Sequence, residues 1–233
     1  MSEYLQDRNA GNAGDYLKHL LLLQLIKTVL NDYPDRSIAY IESHAGAGLY
    51  NLKEIHWKNR HKYRKLVCGD EEQWATFDRL NPLKDMQYFG SFMLAGKLLS
   101  GDKKRNLKIV IHEKDEDVVL RIKDCVSELS PDIEGESNPD IIKGEIVELK
   151  RVGFDIIICL IDPYFQEGRK DKVWCEMLTY DEPGCFMLMF DTWNLQHAPH
   201  CLEEMLIRSI QYQIRGYAIY GNKQSKNILV NIK

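Results

Sequence analysis

The sequence predicts an α/β protein built on a doubly wound, mostly parallel sheet of about seven strands. Strand and helix signals alternate along most of the 233 residues, which is the pattern of a parallel sheet covered by helices on both faces. The strongest apolar runs also lack the alternation of polar and apolar residues that marks a half-exposed strand, as expected for strands buried on both faces. These runs are 38–41, 109–111, 156–161 and 186–190.

Local sequence patterns set the limits of the elements in the N-terminal part of the chain. The long apolar stripe after Asp15 predicts a helix that is capped by this residue and ended by Asp32-Tyr33-Pro34-Asp35. The predicted elements are this helix from Tyr16 to about Leu30, a buried strand Ser37–Ile41, and a helical insertion over residues 51–88 within a single domain of residues 1–233.

The remaining elements alternate as a doubly wound sheet requires. The predicted strands are Leu107–His112, Asp140–Ile142, Phe154–Ile161 and Cys185–Phe190, and the predicted helices are Ser91–Leu99, Glu116–Leu129, Asp171–Thr179 and Cys201–Gln211. A hairpin around Gly221-Asn222 is expected to join two final strands, Gly216–Tyr220 and Asn227–Ile232.

Composition restricts the class of protein. Hydrophobic residues make up 44% and charged residues 28%, which is the balance of a chain that buries a core. No apolar run approaches the roughly 20 residues of a membrane helix, and the polar start shows no signal peptide, so a cytoplasmic location without membrane contact is expected. The six cysteines include no Cys-x-x-Cys pair, so no metal site or disulfide scaffold is predicted.

Three predicted strands end in polar groups, at the sheet edge where doubly wound proteins bind ligands. Gly46 and Gly48 follow the first strand and allow a close approach of the backbone, although many turns share this pattern. Glu113 follows the strand Leu107–His112, in the position of an acid that accepts ribose hydroxyls; an exposed residue of a charged run is the alternative. Asp162, followed by Pro163 and aromatics, suits a carboxylate that accepts an amine hydrogen, or an ordinary turn.

One segment has the composition of a nucleic-acid contact. Residues 56–65 hold five cations, two histidines and two aromatics but no acid. Cations interleaved with aromatics suit RNA, although a solvated helix face has the same composition. The net charge of −4 excludes wholesale coating by nucleic acid but not a local patch. The candidate RNA-binding residues are Lys58, Arg60, Lys62, Arg64 and Lys65.

Four motifs in order resemble the RlmJ family of adenine-N(6) methyltransferases that act on large-subunit ribosomal RNA. The run from Ala10 to His19 is similar to that family's His-Ala-Gly-Asn-His-Ala-Asp-x-x-Lys-His, and Ser43 to Tyr50 is similar to Thr-His-Ala-Gly-Ala-Gly-x-Tyr. Phe89-Gly90-Ser91-Phe92 stands where that family has Pro-Gly-Ser-Pro, and Asp162-Pro163-Tyr164 stands where it has Asp-Pro-Pro-Tyr. The likeness covers roughly residues 8–190 and fades after Phe190.

The resemblance implies a Rossmann-like methyltransferase fold, S-adenosyl-L-methionine as methyl donor, and an insertion that helps to hold RNA. Asp162 would receive the target amine, with Tyr164 or Phe165 stacking on the adenine. Carried over in this way, the cofactor-site residues are Lys18, His19, His44, Gly46, Ser91, Glu113 and Asp162.

The chain departs from the family pattern at several positions. Ala13 and Gly14 replace its His and Ala, the second proline of Asp-Pro-Pro-Tyr is absent, and Gly144-Glu145 stands near its Asp-Gly pair. Three functions therefore remain open: an RNA adenine methyltransferase, a methyltransferase of the same fold with DNA adenine or protein as acceptor, and an inactive protein that binds the cofactor or RNA.

Overall fold

The computed structural model describes residues 10–81, 86–101, 105–129, 140–143, 153–162, 178–194, 205–213 and 215–230. The helices in these ranges are α1 (Ala13–Asp32), α2 (Glu54–Val67), α3 (Glu71–Leu80), α4 (Ser91–Leu99), α5 (Glu116–Leu129) and α6 (Lys223–Val230). The strands are β1 (Ile38–Glu42), β2 (Leu49–Asn51), β3 (Gln87–Phe89), β4 (Leu107–Glu113), β5 (Asp140–Lys143), β6 (Ile156–Ile161), β7 (Cys185–Asn194), β8 (Leu206–Tyr212) and β9 (Arg215–Gly221).

Seven of these strands form one sheet in the order β5-β4-β1-β6-β7-β9-β8. Parallel pairing joins β5 through β7, whereas β9 runs antiparallel to both of its neighbours. The predicted doubly wound, mostly parallel sheet is therefore confirmed. The chain order along the sheet reverses beside β1, so the topological switch point lies between β1 and β6.

The central strands are buried on both faces, which explains why their sequences do not alternate. In β6 the side chains of Ile156, Ile158 and Leu160 belong to one core cluster. Those of Ile157, Cys159 and Ile161 belong to the cluster on the opposite face. Successive side chains of a strand point to opposite faces, so a strand covered on both sides must be apolar throughout.

Helix α1 crosses one face of the sheet and packs against α2, α3 and α4. Its apolar residues are buried on almost every side, as in the run Leu20–Leu23. The stretch 51–88 holds α2 and α3, which are framed by the antiparallel pair β2 and β3. Both helices thus pack against α1, and α2 also contacts β8 through the rings of Tyr63 and Tyr212.

The N-cap of α1 differs from the sequence prediction. Asn12, not Asp15, caps the helix, because the Asn12 side chain accepts hydrogen bonds from the backbone N–H groups of Gly14 and Asp15. The helix consequently begins three residues earlier than expected. Asp15 lies in the first turn, where its Oδ2 accepts a hydrogen bond from the Gly11 N–H at 2.9 Å.

Two C-terminal predictions are wrong. The predicted helix Cys201–Gln211 is in fact β8 over its described part, where exposed Ser209 and Gln211 alternate with less exposed neighbours. A strand of period two and an amphipathic helix are hard to distinguish over so few residues. The antiparallel hairpin is formed by β8 and β9, one element earlier than predicted.

Over its described part, residues 227–230, the predicted last strand Asn227–Ile232 is instead the end of helix α6. Asn222 caps this helix, with its Oδ1 accepting from the Ser225 N–H at 3.1 Å. The Asn222 side chain also donates to the carbonyl oxygens of Tyr180 and Cys185. Asn222 therefore stops β9 and starts a helix, where the sequence suggested a turn between strands.

The other predicted bounds agree closely with the structure. Helices α4 and α5 have the expected limits, and most strands differ by one or two residues at an end. Strand β7 continues to Asn194, four residues beyond its predicted end, because it pairs with β9 along that length. Of the predicted helix Asp171–Thr179, all but the last two residues lie outside the described ranges.

Within the described ranges, no helix combines the length and apolar character that a membrane span requires. The cysteines described there, Cys68, Cys125, Cys159 and Cys185, form no disulfide bonds with one another.

Candidate active site

The polar residues predicted at three strand ends lie at the carboxyl edge of adjacent strands. Glu42 and Glu113 are the last residues of β1 and β4, and Asp162 directly follows β6. The loop after β1 contacts both neighbouring strand ends. Gly46 N–H donates to Glu113 Oε2 at 3.1 Å, and Asp162 N–H donates to Ser43 Oγ at 3.3 Å. One loop at the switch point is thus held between the ends of β4 and β6.

The backbone of this loop requires glycine at two positions. Gly46 and Gly48 have φ angles of 61° and 77°, in the left-handed region that disfavours other residues. A Cβ on Gly48 would also lie 2.3 Å from the ring of Phe92. The loop is fixed further by the Ala47 N–H, which donates to the Tyr50 hydroxyl at 2.9 Å. The loop is therefore a shaped and rigid part of the site.

Glu113 is buried, and its carboxylate accepts hydrogen bonds from three backbone N–H groups. Besides Gly46, the donors are Lys114 at 2.8 Å and Asp115 at 3.0 Å, both to Oε1. An ionised carboxylate offers about four acceptor positions, so hydrogen-bonding capacity remains beyond these three. Glu113 also fixes the position of the glycine loop, a role that the sequence did not reveal.

Lys18 is the cation of the site. Its Nζ lies 2.5 Å from Asp162 Oδ2 and 3.2 Å from Asp15 Oδ1, and 5.0 Å above the ring centroid of Phe190. Burial alone would lower the pKa of Lys18, but the carboxylates of Asp162 and Asp15 raise it well above its ordinary value. Lys18 is therefore a permanent positive charge that binds two elements of the site together.

Glu42 is a fully buried carboxyl group beside this ion pair. It accepts hydrogen bonds from the Tyr40 hydroxyl at 2.6 Å and from the Ser91 hydroxyl at the start of α4. Burial raises the pKa of Glu42 to about 8, although the two hydrogen bonds and the charge of Lys18 oppose this change. Asp162 reinforces the rise by charge repulsion.

The two predicted histidines occupy different surroundings. His19 is buried, stacks on Tyr88, and has its Nδ1 2.9 Å from the Tyr88 hydroxyl. Burial and the charge of Lys18 hold its pKa well below the ordinary value, so the ring is neutral. Its Nε2 is a buried ring atom with no hydrogen-bond partner among the described residues. His44 lies on the loop, with its Nδ1 2.7 Å from Ser43 Oγ.

Hydrogen bonds, an ion pair and charge interactions link the predicted cofactor-site residues, directly or through Glu42 and the loop that follows it. These residues are Lys18, His19, His44, Gly46, Ser91, Glu113 and Asp162. Tyr164, Phe165 and the Gly144-Glu145 pair lie outside the described residues. Sequence reasoning assigned no role to Glu42, Tyr40 or Phe190. A glutamate at the end of an otherwise apolar strand was the available signal for Glu42, but nothing in the sequence connected Phe190 with Lys18.

The five cations predicted to bind RNA all lie on α2, but on two sides of it. Lys58, Lys62 and Lys65 are exposed and are spaced by four and three residues, so they share one face. Arg60 and Arg64 are only partly exposed, and their guanidinium groups lie 4.1 Å and 4.5 Å from the ring centroids of Trp57 and Trp74.

Neighbouring acids pair with some of these cations. Arg64 binds Asp78 of α3 at 3.0 Å, and Lys58 binds Glu54 one turn earlier in α2 at 2.5 Å. Among the residues that the structure describes, neither Lys62 nor Lys65 forms a salt bridge. The exposed lysine face and the stacked arginine face are therefore chemically distinct.

A comparison with known proteins supports the fold of this chain. No family model matches the chain, and no curated protein does. A crystal structure of protein LPL1258 from Legionella pneumophila, family model DUF519, is similar with a TM-score of 0.59 and 14% identity over 94% of this chain and 91% of that one. This chain shares that fold. The predicted Rossmann-like, doubly wound architecture is thereby confirmed.

More distant similarities are found to two RNA-modifying enzymes. One is an rRNA methylase from Streptococcus thermophilus, with a TM-score of 0.44 and 11% identity over 88% of this chain and 96% of that one. The other is an RNA methyltransferase from Salinibacter ruber in complex with S-adenosyl-L-homocysteine, with a TM-score of 0.34 and 10% identity over 84% and 88%.

Proposed function

We propose that this protein is an S-adenosyl-L-methionine-dependent methyltransferase that methylates the exocyclic amine of adenine in RNA, with ribosomal RNA as its substrate. The observation that carries the proposal is the glycine loop between Glu113 and Asp162 at the switch point of the sheet. In doubly wound folds the ligand lies at this edge. The carboxylate of Glu113 is then available to a ribose on one side of the loop, and that of Asp162 is available to an amine on the other side.

The charges of the site fit this cofactor. Among the described residues, Asp15, Asp162 and Glu42 lie around the cation Lys18. Such a set favours a ligand with positive charge, and the cofactor carries an ammonium and a sulfonium group. The neutral ring of His19 adds a buried nitrogen with unused hydrogen-bonding capacity. Glu113 would hold the ribose, and Ser91 and His44 would contact the cofactor at the same edge of the sheet.

When bound, the cofactor supplies a methyl group on a positively charged sulfur. The acceptor is a weak nucleophile, because the lone pair of an exocyclic adenine amine is delocalised into the ring. Asp162 would accept one N–H of this amine and turn its lone pair away from the ring. Strand β6 and Lys18 hold Asp162 from two directions, so its orientation exists before substrate binds. Such preorganisation and the local electrostatics would lower the barrier.

RNA as the substrate is supported by the motif resemblance and by the exposed lysine face of α2. Lys58, Lys62 and Lys65 would contact phosphates. Arg60 on Trp57 would offer a flat cationic surface suited to an unstacked base. A flipped or single-stranded adenine satisfies the requirement that the amine reach Asp162 outside a duplex.

A methyl-transfer assay tests the proposal. The purified protein is incubated with labelled S-adenosyl-L-methionine and, in parallel, with an unmodified large-subunit ribosomal RNA transcript, genomic DNA and a protein extract. Digestion of labelled RNA to nucleosides identifies the methylated atom. We expect label in N6-methyladenosine, no label with Asp162→Ala, and wild-type labelling with Asp155→Asn, which changes an exposed carboxylate at the opposite end of β6.

Each alternative has its own result. Label in DNA or protein but not in RNA would keep the methyltransferase and replace the acceptor. Cofactor binding without label in any acceptor would indicate an inactive binding protein. Wild-type rates in the Asp162→Ala variant, measured in a single turnover, would eliminate the mechanism.

A further inference from the structure

We propose that Glu42 senses the charge of the cofactor: it is protonated when the site is empty or holds the neutral demethylated product, and it releases its proton when the sulfonium form binds. The inference rests on the proposed function. It adds a physical reason why the protein would bind S-adenosyl-L-methionine more tightly than the product S-adenosyl-L-homocysteine. It assigns Glu42 as a positioning residue, because it acts on the ligand through charge and through Ser91.

The first support is the place of Glu42 in the fold. It ends β1 directly before the glycine loop, and its backbone pairs with β4 on one side and β6 on the other. Its two oxygens are fixed separately, Oε2 by Tyr40 and Oε1 by Ser91. Both hydroxyl groups donate to an ionised carboxylate, and either can rotate to accept a hydrogen bond when Glu42 carries a proton. The network therefore has hydrogen-bond partners for Glu42 in both states.

The second support is the charge of the surrounding cluster. Lys18 contributes one positive charge, and Asp15 and Asp162 contribute two negative charges. With Glu42 neutral the cluster carries a net charge of −1, and with Glu42 ionised it carries −2. A ligand that brings a sulfonium offsets the second negative charge, whereas a neutral thioether does not. Because Glu42 and Lys18 are buried and the two aspartates are only partly exposed, this difference is weakly screened.

Of the groups in this cluster, Glu42 is the one whose pKa lies near neutral pH. The groups that interact with it are Lys18 on α1, Tyr40 on β1, Tyr50 on β2, Ser91 on α4, and Cys159 and Asp162 at β6, while Asp15 acts on it through Lys18. Burial raises the pKa of Tyr40, Tyr50 and Cys159 away from neutrality, and the carboxylates raise that of Lys18. With a pKa of about 8, Glu42 holds its proton at pH 7 and is ready to lose it.

Calorimetry of cofactor binding tests the inference without measuring methyl transfer. S-adenosyl-L-methionine and S-adenosyl-L-homocysteine are titrated into the protein at pH 6.5 in two buffers with different ionisation enthalpies, which gives the number of protons released. This pH lies below the ordinary pKa of the amino group that both ligands carry, about 8. We expect release of about half a proton or more for the sulfonium ligand and close to none for the thioether.

Glu42→Gln is the decisive variant, because an amide preserves the size and can still accept a hydrogen bond. It should release no proton with either ligand, and its preference for the sulfonium form should not increase with pH. Glu72→Gln, the same change at an exposed position of α3, is the matched control and should behave as wild type.

The pH dependence of the wild-type protein provides a test that needs no variant. The ratio of the two affinities should shift toward S-adenosyl-L-methionine as pH rises from 6 to 8, by up to about tenfold per pH unit. Equal proton release by both ligands, or a ratio independent of pH, would overturn the inference while leaving the proposed function intact. Failure of both ligands to bind would instead overturn the proposed function.

Discussion

Lys18 Nζ lies 2.5 Å from Asp162 Oδ2, although the two residues are 144 positions apart in the chain. This ion pair connects the first helix to the end of β6 and places a cation beside the carboxylate proposed to receive the amine. Asp15 completes the arrangement from the same helix as Lys18, one turn away. The relative position of helix and strand therefore controls the orientation of Asp162.

Removing the charge of Lys18 should destabilise the protein. Lys18→Met leaves two carboxylates in a buried site with no cation, and breaking a buried pair from one side costs about 3–5 kcal/mol. The free energy of unfolding, measured by urea denaturation, should fall by this order. Asp162→Asn in the Lys18→Met background should restore part of the loss, since one unpaired charge is then removed. Additive effects of the two changes would contradict the direct coupling.

Glu113→Ala should weaken cofactor binding by roughly 1–3 kcal/mol, the scale for hydrogen bonds to a charged group. The reason is twofold, since Glu113 is the proposed ribose ligand and also holds Gly46 in place. Calorimetric affinity is compared with thermal stability in the same variant. Asp117→Asn, an exposed acid in the next helix, should leave both quantities unchanged. Unaltered affinity in Glu113→Ala would discard the assignment.

The exposed lysine face of α2 should bind RNA phosphates. Changing Lys58, Lys62 and Lys65 together to Gln should weaken RNA binding and reduce the slope of log affinity against log salt, by about 0.7 per lost contact with single-stranded RNA. Cofactor affinity should not change. A double change of Lys223 and Lys226 on α6 serves as the control for net charge. An unchanged salt slope in the triple variant would show that these lysines do not contact RNA and form only a solvated helix surface.

Glu42 should make stability depend on pH. Its pKa of about 8 in the folded protein lies above the value of 4.5 for an unperturbed glutamate, so between these values the folded state keeps a proton that the unfolded state has released. Stability contributed by this group therefore falls as pH rises through that window, by up to about 1.4 kcal/mol per pH unit, and levels off above pH 8.

Glu42→Gln removes this titration. The free energy of unfolding of the variant, relative to that of wild type, should therefore rise from pH 5 to pH 8. Urea unfolding at pH 5, 6.5 and 8 measures the difference. Parallel curves for the two proteins would show that Glu42 titrates alike in the folded and unfolded states.

Gly14→Ala should be destabilising even though alanine is the better helix former. A Cβ at this position would lie 2.3 Å from the ring of Tyr217 and 2.7 Å from that of Phe190, which stack on each other. We expect a loss of about 1–3 kcal/mol in unfolding free energy, the usual cost of overpacking, against a gain of about 1 from helix propensity. A variant as stable as wild type would show that the two rings move aside freely.

The aromatic pair Phe190 and Tyr217 on β7 and β9 thus occupies the space that a methyl group at position 14 would need.

Much of the fold followed from the sequence alone. Continuous apolar runs identified the strands that are buried on both faces, because polar residues are costly there. The five parallel strands β1, β4, β5, β6 and β7 and the three polar strand ends were predictable from local patterns and from the rule that ligands lie beyond those ends. The short pair β2 and β3, which borders the predicted helical insertion, was not predicted. The C-terminal elements were not, because β8 and α6 are short and amphipathic, and pairing with β9 and the Asn222 cap decide between helix and strand.

The sequence by itself determined that this protein is a doubly wound α/β fold with polar residues at the ends of its central strands. Only the tertiary structure decided which of those residues act on each other. The pairing of Lys18 with Asp162, the anchoring of Gly46 by Glu113, and the burial of Glu42 beside Ser91 depend on elements that are distant in the chain. Charge and pKa depend on distance and burial, and both are set only when the sheet and helices have packed together.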